Sequence, residues 1–184
     1  MSELASKGQL RATFLRAALF TVPGVLLLGF LSGAASGSGA ENPWFAELVK
    51  PAIYPPPMAF PIVWSVLYIM MGLALAIVAT AFGAPARKAA MVVFLLQLLL
   101  NLAWSPLFFG MHQITWALVL LAALDIAVLI TVVLFWKVRR NAGLLLLPYL
   151  AWVLFATVLN WQFLAANPDA DGQDYSGAVT RMEI

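Results

Sequence analysis

Apolar residues run almost without interruption through five stretches of the chain, at about 14–36, 60–82, 89–109, 116–136 and 144–165. A helix of about 20 residues, rising about 1.5 Å per residue, crosses a hydrocarbon core of about 30 Å. The runs lack the alternation of strands, and five spans cannot close an outer-membrane barrel, so the pattern predicts helices. The breaks between them have suitable chemistry. Residues 37–57 are rich in Gly and Pro and carry charge, 83–88 hold Gly, Pro, Arg and Lys, 110–115 form a short polar turn, and 137–143 are basic. The expected architecture is an all-α membrane protein, a five-transmembrane-helix bundle. It comprises a flank at 1–13, the bundle at 14–166 and a polar, disordered tail at 167–184.

Composition agrees with the pattern. Apolar residues make up 64% of the 184 positions and charged residues 10%, where a soluble domain carries about a quarter. The surface must therefore face lipid. A net charge of +2 argues against nucleic acid as a partner, and the absence of cysteine removes disulfides and thiolate chemistry. Charge placement predicts orientation. Lys7, Arg11, Arg16, Arg87, Lys88, Lys137, Arg139 and Arg140 fall on one side, while Lys50 and Arg181 fall on the other. This places the N-terminus in the cytoplasm and the C-terminus outside, in an inner membrane of bacterial type. The stretch 7–40 also has the outline of a cleaved signal peptide. Gly29, Gly33 and Gly37 recur every four residues, however, as a helix-packing stripe does, which favours a retained first span.

Chemistry concentrates on three of the spans. Phe60, Trp64 and Tyr68 share one helix face; Gln97, Asn101, Trp104, Ser105 and Phe108 share another; Tyr149, Trp152, Ala156 and Asn160 share a third. Amides are costly in hydrocarbon and should turn inward. Two readings follow: interhelical glue, which composition alone favours, or the wall of a pocket for a flat apolar molecule. Trp44, Trp116, Trp136 and Trp161 sit near span ends, where interfacial anchoring is expected. Asp125 is the one carboxyl within a span, either a proton carrier or a hydrogen-bonded structural group. His112 reads as a surface residue, not a haem ligand. Asp169, Asp171 and Asp174 lack the spacing of a calcium loop. Pro61, Pro106 and Pro148 can bend their helices. No catalytic motif, metal-ligand cluster or inverted repeat is visible.

Three motifs in order resemble those of a known family. Lys50-Pro51, Pro55-Pro56, Phe60-Pro61-Ile62-Val63-Trp64 and Leu67-Tyr68 form the first. Gln97-Leu98, Asn101 and Trp104-Ser105-Pro106-Leu107-Phe108-Phe109-Gly110 form the second, and Pro148-Tyr149-Leu150-Ala151-Trp152, Phe155-Ala156-Thr157 and Leu159-Asn160 the third. Together, over about 43–167, they resemble the TspO family, also called tryptophan-rich sensory protein, translocator protein or peripheral benzodiazepine receptor. The resemblance implies a five-helix bundle, often a homodimer in a lipid bilayer, that binds porphyrins such as protoporphyrin IX or haem as ligands, with no required cofactor. It implies a pocket under the first loop with Trp64 and Trp152 as walls and Asn101 as polar contact. Phe60, Tyr68, Gln97, Trp104, Phe108 and Tyr149 complete the expected ligand-binding set. The implied role is a receptor or regulator in tetrapyrrole handling or stress signalling. Alternatives are an enzyme degrading porphyrin oxidatively in light, a porphyrin or lipid carrier, and an assembly partner without a ligand. Two features depart from the family pattern: Ala52 and Ile53 stand where tryptophan is usual, and no basic residue follows Asn160 before Arg181. Sterol is therefore not the expected native ligand.

Overall fold

The computed structural model describes residues 6–173. Five helices in it are long and apolar enough to cross a membrane. They are α1 (Lys7–Ala35), α3 (Ala59–Ala79), α4 (Arg87–Ser105), α5 (Ile114–Val138) and α6 (Arg140–Ala166). A short α2 (Pro43–Glu47), which the apolar pattern does not reveal, lies in the first loop. Each boundary has a local cause. The helix α1 begins seven residues before its apolar run because Ser6 and Gln9 form a reciprocal cap, each side chain bonding the other's backbone N–H. It ends in a Schellman turn, with Gly37 at φ +60° and Ser38 N–H donating to Gly33 O over 3.0 Å. The helix α3 stops at Ala79, short of the expected Phe82; the Arg87 guanidinium donates to the Ala79 carbonyl at 2.7 and 3.0 Å. Arg139 alone joins α5 to α6.

The helices close a ring in the order α1, α3, α6, α5, α4. The α1–α3 seam depends on glycine. A Cβ on Gly72 would lie 2.6 Å from Val22 Cα, and one on Gly29 would lie 2.2 Å from the Tyr68 ring. Thr21 Oγ1 crosses this seam to Gly72 O at 2.8 Å. The expected glycine stripe thus divides: Gly29 permits close packing, and Gly37 makes the turn. The α1–α4 seam closes through Pro106. Lacking an N–H, this residue leaves the Leu102 carbonyl without its helical donor, and Ser32 Oγ on α1 donates to that oxygen at 2.5 Å. Beyond Pro106 the backbone widens into one π turn, Pro106–Gly110, with Met111 N–H bonding Pro106 O at 2.9 Å. By contrast, Pro61 falls in the first turn of α3, where a missing N–H costs little, and Pro148 sits inside α6.

The end that holds Lys7, Arg87 and Arg139 is packed tightly, with Phe94 stacked on Phe135 at 5.6 Å. The first loop, residues 36–58, covers the opposite end. Trp116, Trp136 and Trp161 are exposed near helix ends, as interfacial anchors are. Trp44 is not. It is 4% exposed, stacked on His112 at 4.6 Å and edge-on to Phe108, because the loop folds inward over the bundle.

The tail also departs from expectation as far as residue 173. Asn167 is buried, residues Pro168–Ala170 form a 3₁₀ turn, and Asp171 accepts from the Thr115 backbone N–H at 3.0 Å, capping α5. Gly172 N–H donates to His112 O at 2.8 Å. The disordered tail expected from 174 onward, including Asp174, lies outside the described residues.

Substituting Gly72→Ala should force α1 and α3 apart and lower stability by about 1–3 kcal/mol. Gly24→Ala, whose Cβ would meet nothing within 4 Å, should stay within about 0.5 kcal/mol. Thermal unfolding of both variants in detergent measures the difference.

Candidate functional site

The loop end of the ring holds a partly open cavity of about 510 Å³. Its position follows from where polar groups had to be paired. Tyr68 O–H donates to Asn101 Oδ1 at 3.2 Å, Asn101 Nδ2 donates to Tyr149 Oη at 3.2 Å, and Tyr149 O–H donates to Gln97 Oε1 at 2.8 Å. This chain links α3, α4 and α6 and forms the floor, with Tyr68 and Asn101 on its cavity side and Tyr149 and Gln97 on its underside. Above it the same helix faces continue as aromatic wall. Trp64 stacks on Tyr68 at 5.0 Å, and Phe60 meets Trp152 edge-on at 6.0 Å. Trp104 stacks on Phe108 at 5.0 Å, its Nε1–H donating to Asn160 Oδ1 at 3.3 Å. Asn160 in turn donates to Ile114 O at 3.0 Å, tying α4, α5 and α6 together.

The lid is fastened at several points. Asn42 caps α2 by accepting from Phe45 N–H at 3.0 Å. The Lys50 ammonium donates to the carbonyls of Phe45, Ala46 and Leu48 and lies 4.4 Å from the centroid of the Phe45 ring. Burial pushes the pKa of Lys50 below the ordinary lysine value. Asn167 grips Val49 at both backbone groups: Val49 N–H donates to Oδ1 at 2.7 Å, and Nδ2 donates to Val49 O at 3.0 Å. These contacts press Trp44, Phe45 and Leu48 onto Phe108, Leu159 and Phe163. Tyr54, from the same loop, packs on Phe60 and Phe163 at 5.5 and 5.8 Å, and desolvation raises its pKa.

Seven of the nine residues singled out in the sequence face this space: Phe60, Trp64, Tyr68, Asn101, Trp104, Phe108 and Trp152. Gln97 and Tyr149 do not. Each is 1% exposed and forms the underside of the floor, facing away from the cavity, where its hydrogen bonds run between helices. The amides therefore divide between the two readings: Gln97 is glue, and Asn101 both glues and lines. Phe45, Tyr54, Phe155 and Phe163 line the cavity without having stood out in the sequence. Asp125 lies outside the lining; its Oδ2 accepts from Thr157 Oγ1 at 2.8 Å between α5 and α6. His112 is half-buried under Trp44, away from the cavity, with Nδ1 2.9 Å from Gln173 O. No cluster of metal-ligating side chains exists among the described residues.

A profile of the TspO/MBR family matches residues 21–165. The chain belongs to that family. Among TspO/MBR relatives, the tryptophan-rich protein TspO of Chlorobaculum tepidum is 44% identical over 144 residues, covering 78% of this chain and 90% of that protein. The translocator protein of Homo sapiens is 40% identical over 136 residues, covering 73% and 80% respectively. The tryptophan-rich sensory protein of Cereibacter sphaeroides is 35% identical over 147 residues, covering 77% and 91%. The match from 21 to 165 covers every described residue that lines the cavity. As a TspO/MBR protein with five helices of spanning length, the chain is an integral membrane protein.

Asn167→Ala should leave both backbone groups of Val49 without protein partners, at a cost of about 1–3 kcal/mol. The expected result is faster amide hydrogen exchange at 42–50, with exchange in α5 unchanged.

Proposed function

We propose that this protein is a membrane receptor or regulator that takes a flat, largely apolar ring system of tetrapyrrole type into the cavity beneath the first loop. The observation that carries this reading is the convergence of Trp64, Trp152 and Asn101 on one cavity. Ring faces offer broad stacking surfaces, and a few polar groups fix orientation. Asn101 spends one N–H on Tyr149 and accepts one bond from Tyr68, so a second N–H and a lone pair are left for a ligand. Among the described residues the lining contains no histidine, cysteine or methionine, the side chains that most often hold haem iron. A metal-free ring suits it better than haem.

The protein acts as a binder in this proposal. Among the described residues no acid–base pair lines the cavity, so the arrangement supports sensing or handling of the ring above chemistry on it. The eight cations at the closed end support an orientation with that end in the cytoplasm and the lid outside.

Titration with protoporphyrin IX, as the acid or its dimethyl ester, should quench tryptophan fluorescence saturably. Trp64→Ala combined with Trp152→Ala removes two stacking faces, about 2 kcal/mol and hence about thirtyfold in affinity. Gln97→Leu, beneath the floor, should lower thermal stability while leaving affinity within about threefold. A folded double variant that binds with unchanged affinity would refute the site. Because the chain has no native cysteine, single cysteines at Ala52 and Lys88 should be labelled from opposite faces of the membrane.

A further inference from the structure

The corner between α5 and α6 sets a fixed positive group above an apolar track. Arg139 alone joins the two helices, so the last turn of α5 lies beside the first of α6. Gly143 makes that contact close: a Cβ there would lie 2.9 Å from Trp136 Cβ and 3.0 Å from its Cε3. The Trp136 ring is thereby seated against α6, and the Arg140 guanidinium lies over it, 5.2 Å from the centroid. A guanidinium on a ring face still offers its planar fork of N–H donors edgewise, the geometry that engages phosphate in pairs. Lys137 follows Trp136 directly and adds a second charge at this level, and both cations are exposed.

Below the corner the surface turns apolar. Leu129, Val133 and Trp136 share one face of α5 at steps of four and three, and Arg140, Leu144 and Leu147 share one face of α6 at the same steps. All six are exposed. The two faces meet where Arg140 lies over Trp136. In a bilayer the aliphatic residues lie among acyl chains, and the tryptophan marks the headgroup boundary. A zwitterionic headgroup brings its own cation to Arg140 and Lys137, whereas an anionic one does not.

We infer that the Trp136–Arg140 corner binds an anionic phospholipid, with the phosphate on Arg140 and Lys137 and an acyl chain along Leu129, Val133, Leu144 and Leu147. The continuity of the charged group with the apolar track favours a lipid over a free phosphate, which would use the upper half alone. The corner lies at the end of the bundle opposite the cavity, so this inference does not depend on the proposed ring ligand.

The test places the full-length protein in phosphatidylcholine nanodiscs doped with phosphatidylglycerol brominated near the top of its acyl chains, and follows tryptophan fluorescence. Brominated phosphatidylglycerol should quench a saturable component at about tenfold lower mole fraction than brominated phosphatidylcholine does. Trp136→Phe should remove that component. Lys137→Gln with Arg140→Gln should bring the two lipids within about twofold of each other. Lys7→Gln with Arg11→Gln, an equal loss of charge at the same end, should leave the preference intact. The comparison of the two lipids on the unsubstituted protein decides without any variant: equal quenching overturns the inference. Loss of the preference in the Lys7 and Arg11 pair as well overturns it in favour of general attraction to a basic surface. A preference abolished by inorganic phosphate at constant ionic strength overturns it in favour of a free-anion site.

Discussion

Polar groups inside a bilayer have no water to fall back on, and that constraint organises this bundle. The Tyr68–Asn101–Tyr149–Gln97 chain pairs two phenols and two amide oxygens with one another, while the buried Gln97 Nε2 has no partner among the described residues. In doing so it fixes the rotation of α3, α4 and α6 about their axes. Once those faces are turned inward, the residues one turn toward the lid, Trp64, Trp104, Ser105 and Trp152, must follow. A floor of hydrogen bonds therefore produces an aromatic chamber above it. The roles of glue and wall belong to one stripe, separated by depth.

The lid solves a different problem. A loop of 23 residues between α1 and α3 would be loose on entropic grounds. It is instead held by a side-chain cap, a saturated ammonium and an amide gripping the backbone. One of the fasteners, Asn167, comes from beyond α6, and Asp171 ties the same C-terminal segment to the start of α5. The chamber roof and the C-terminal segment are one structural unit, and the described part of that segment is ordered for this reason.

Much of this was legible in the residues. Hydropathy located all five spans, and four-residue spacing identified the three inward faces. The motifs around Trp64, Asn101 and Trp152 pointed to the family now established by the match over 21–165. Depth was not legible. Periodicity gives the direction of a side chain around the helix but not its level along the axis relative to neighbouring helices, so Gln97 and Tyr149 looked like wall residues. The position of Trp44 was missed for a related reason. Proximity to a span end suggests an interface, but only the fold of the loop carries the ring back into the protein. Asn167 looked like the first residue of a polar tail because its partner, Val49, is 118 positions away.

Pro106 makes the second half of the third span a matter of register. An α-helix advances about 100° per residue, and the wider turn at 106–110 shifts everything after it relative to a straight helix. Phe108 and Phe109 reach the chamber through that offset, and the Leu102 carbonyl freed by the same proline anchors α1. In evolutionary terms the proline, the serine that answers it and the phenylalanines it re-aims are coupled. Loss of the proline would ask for compensating change at several positions on two helices, so these residues should vary together or not at all.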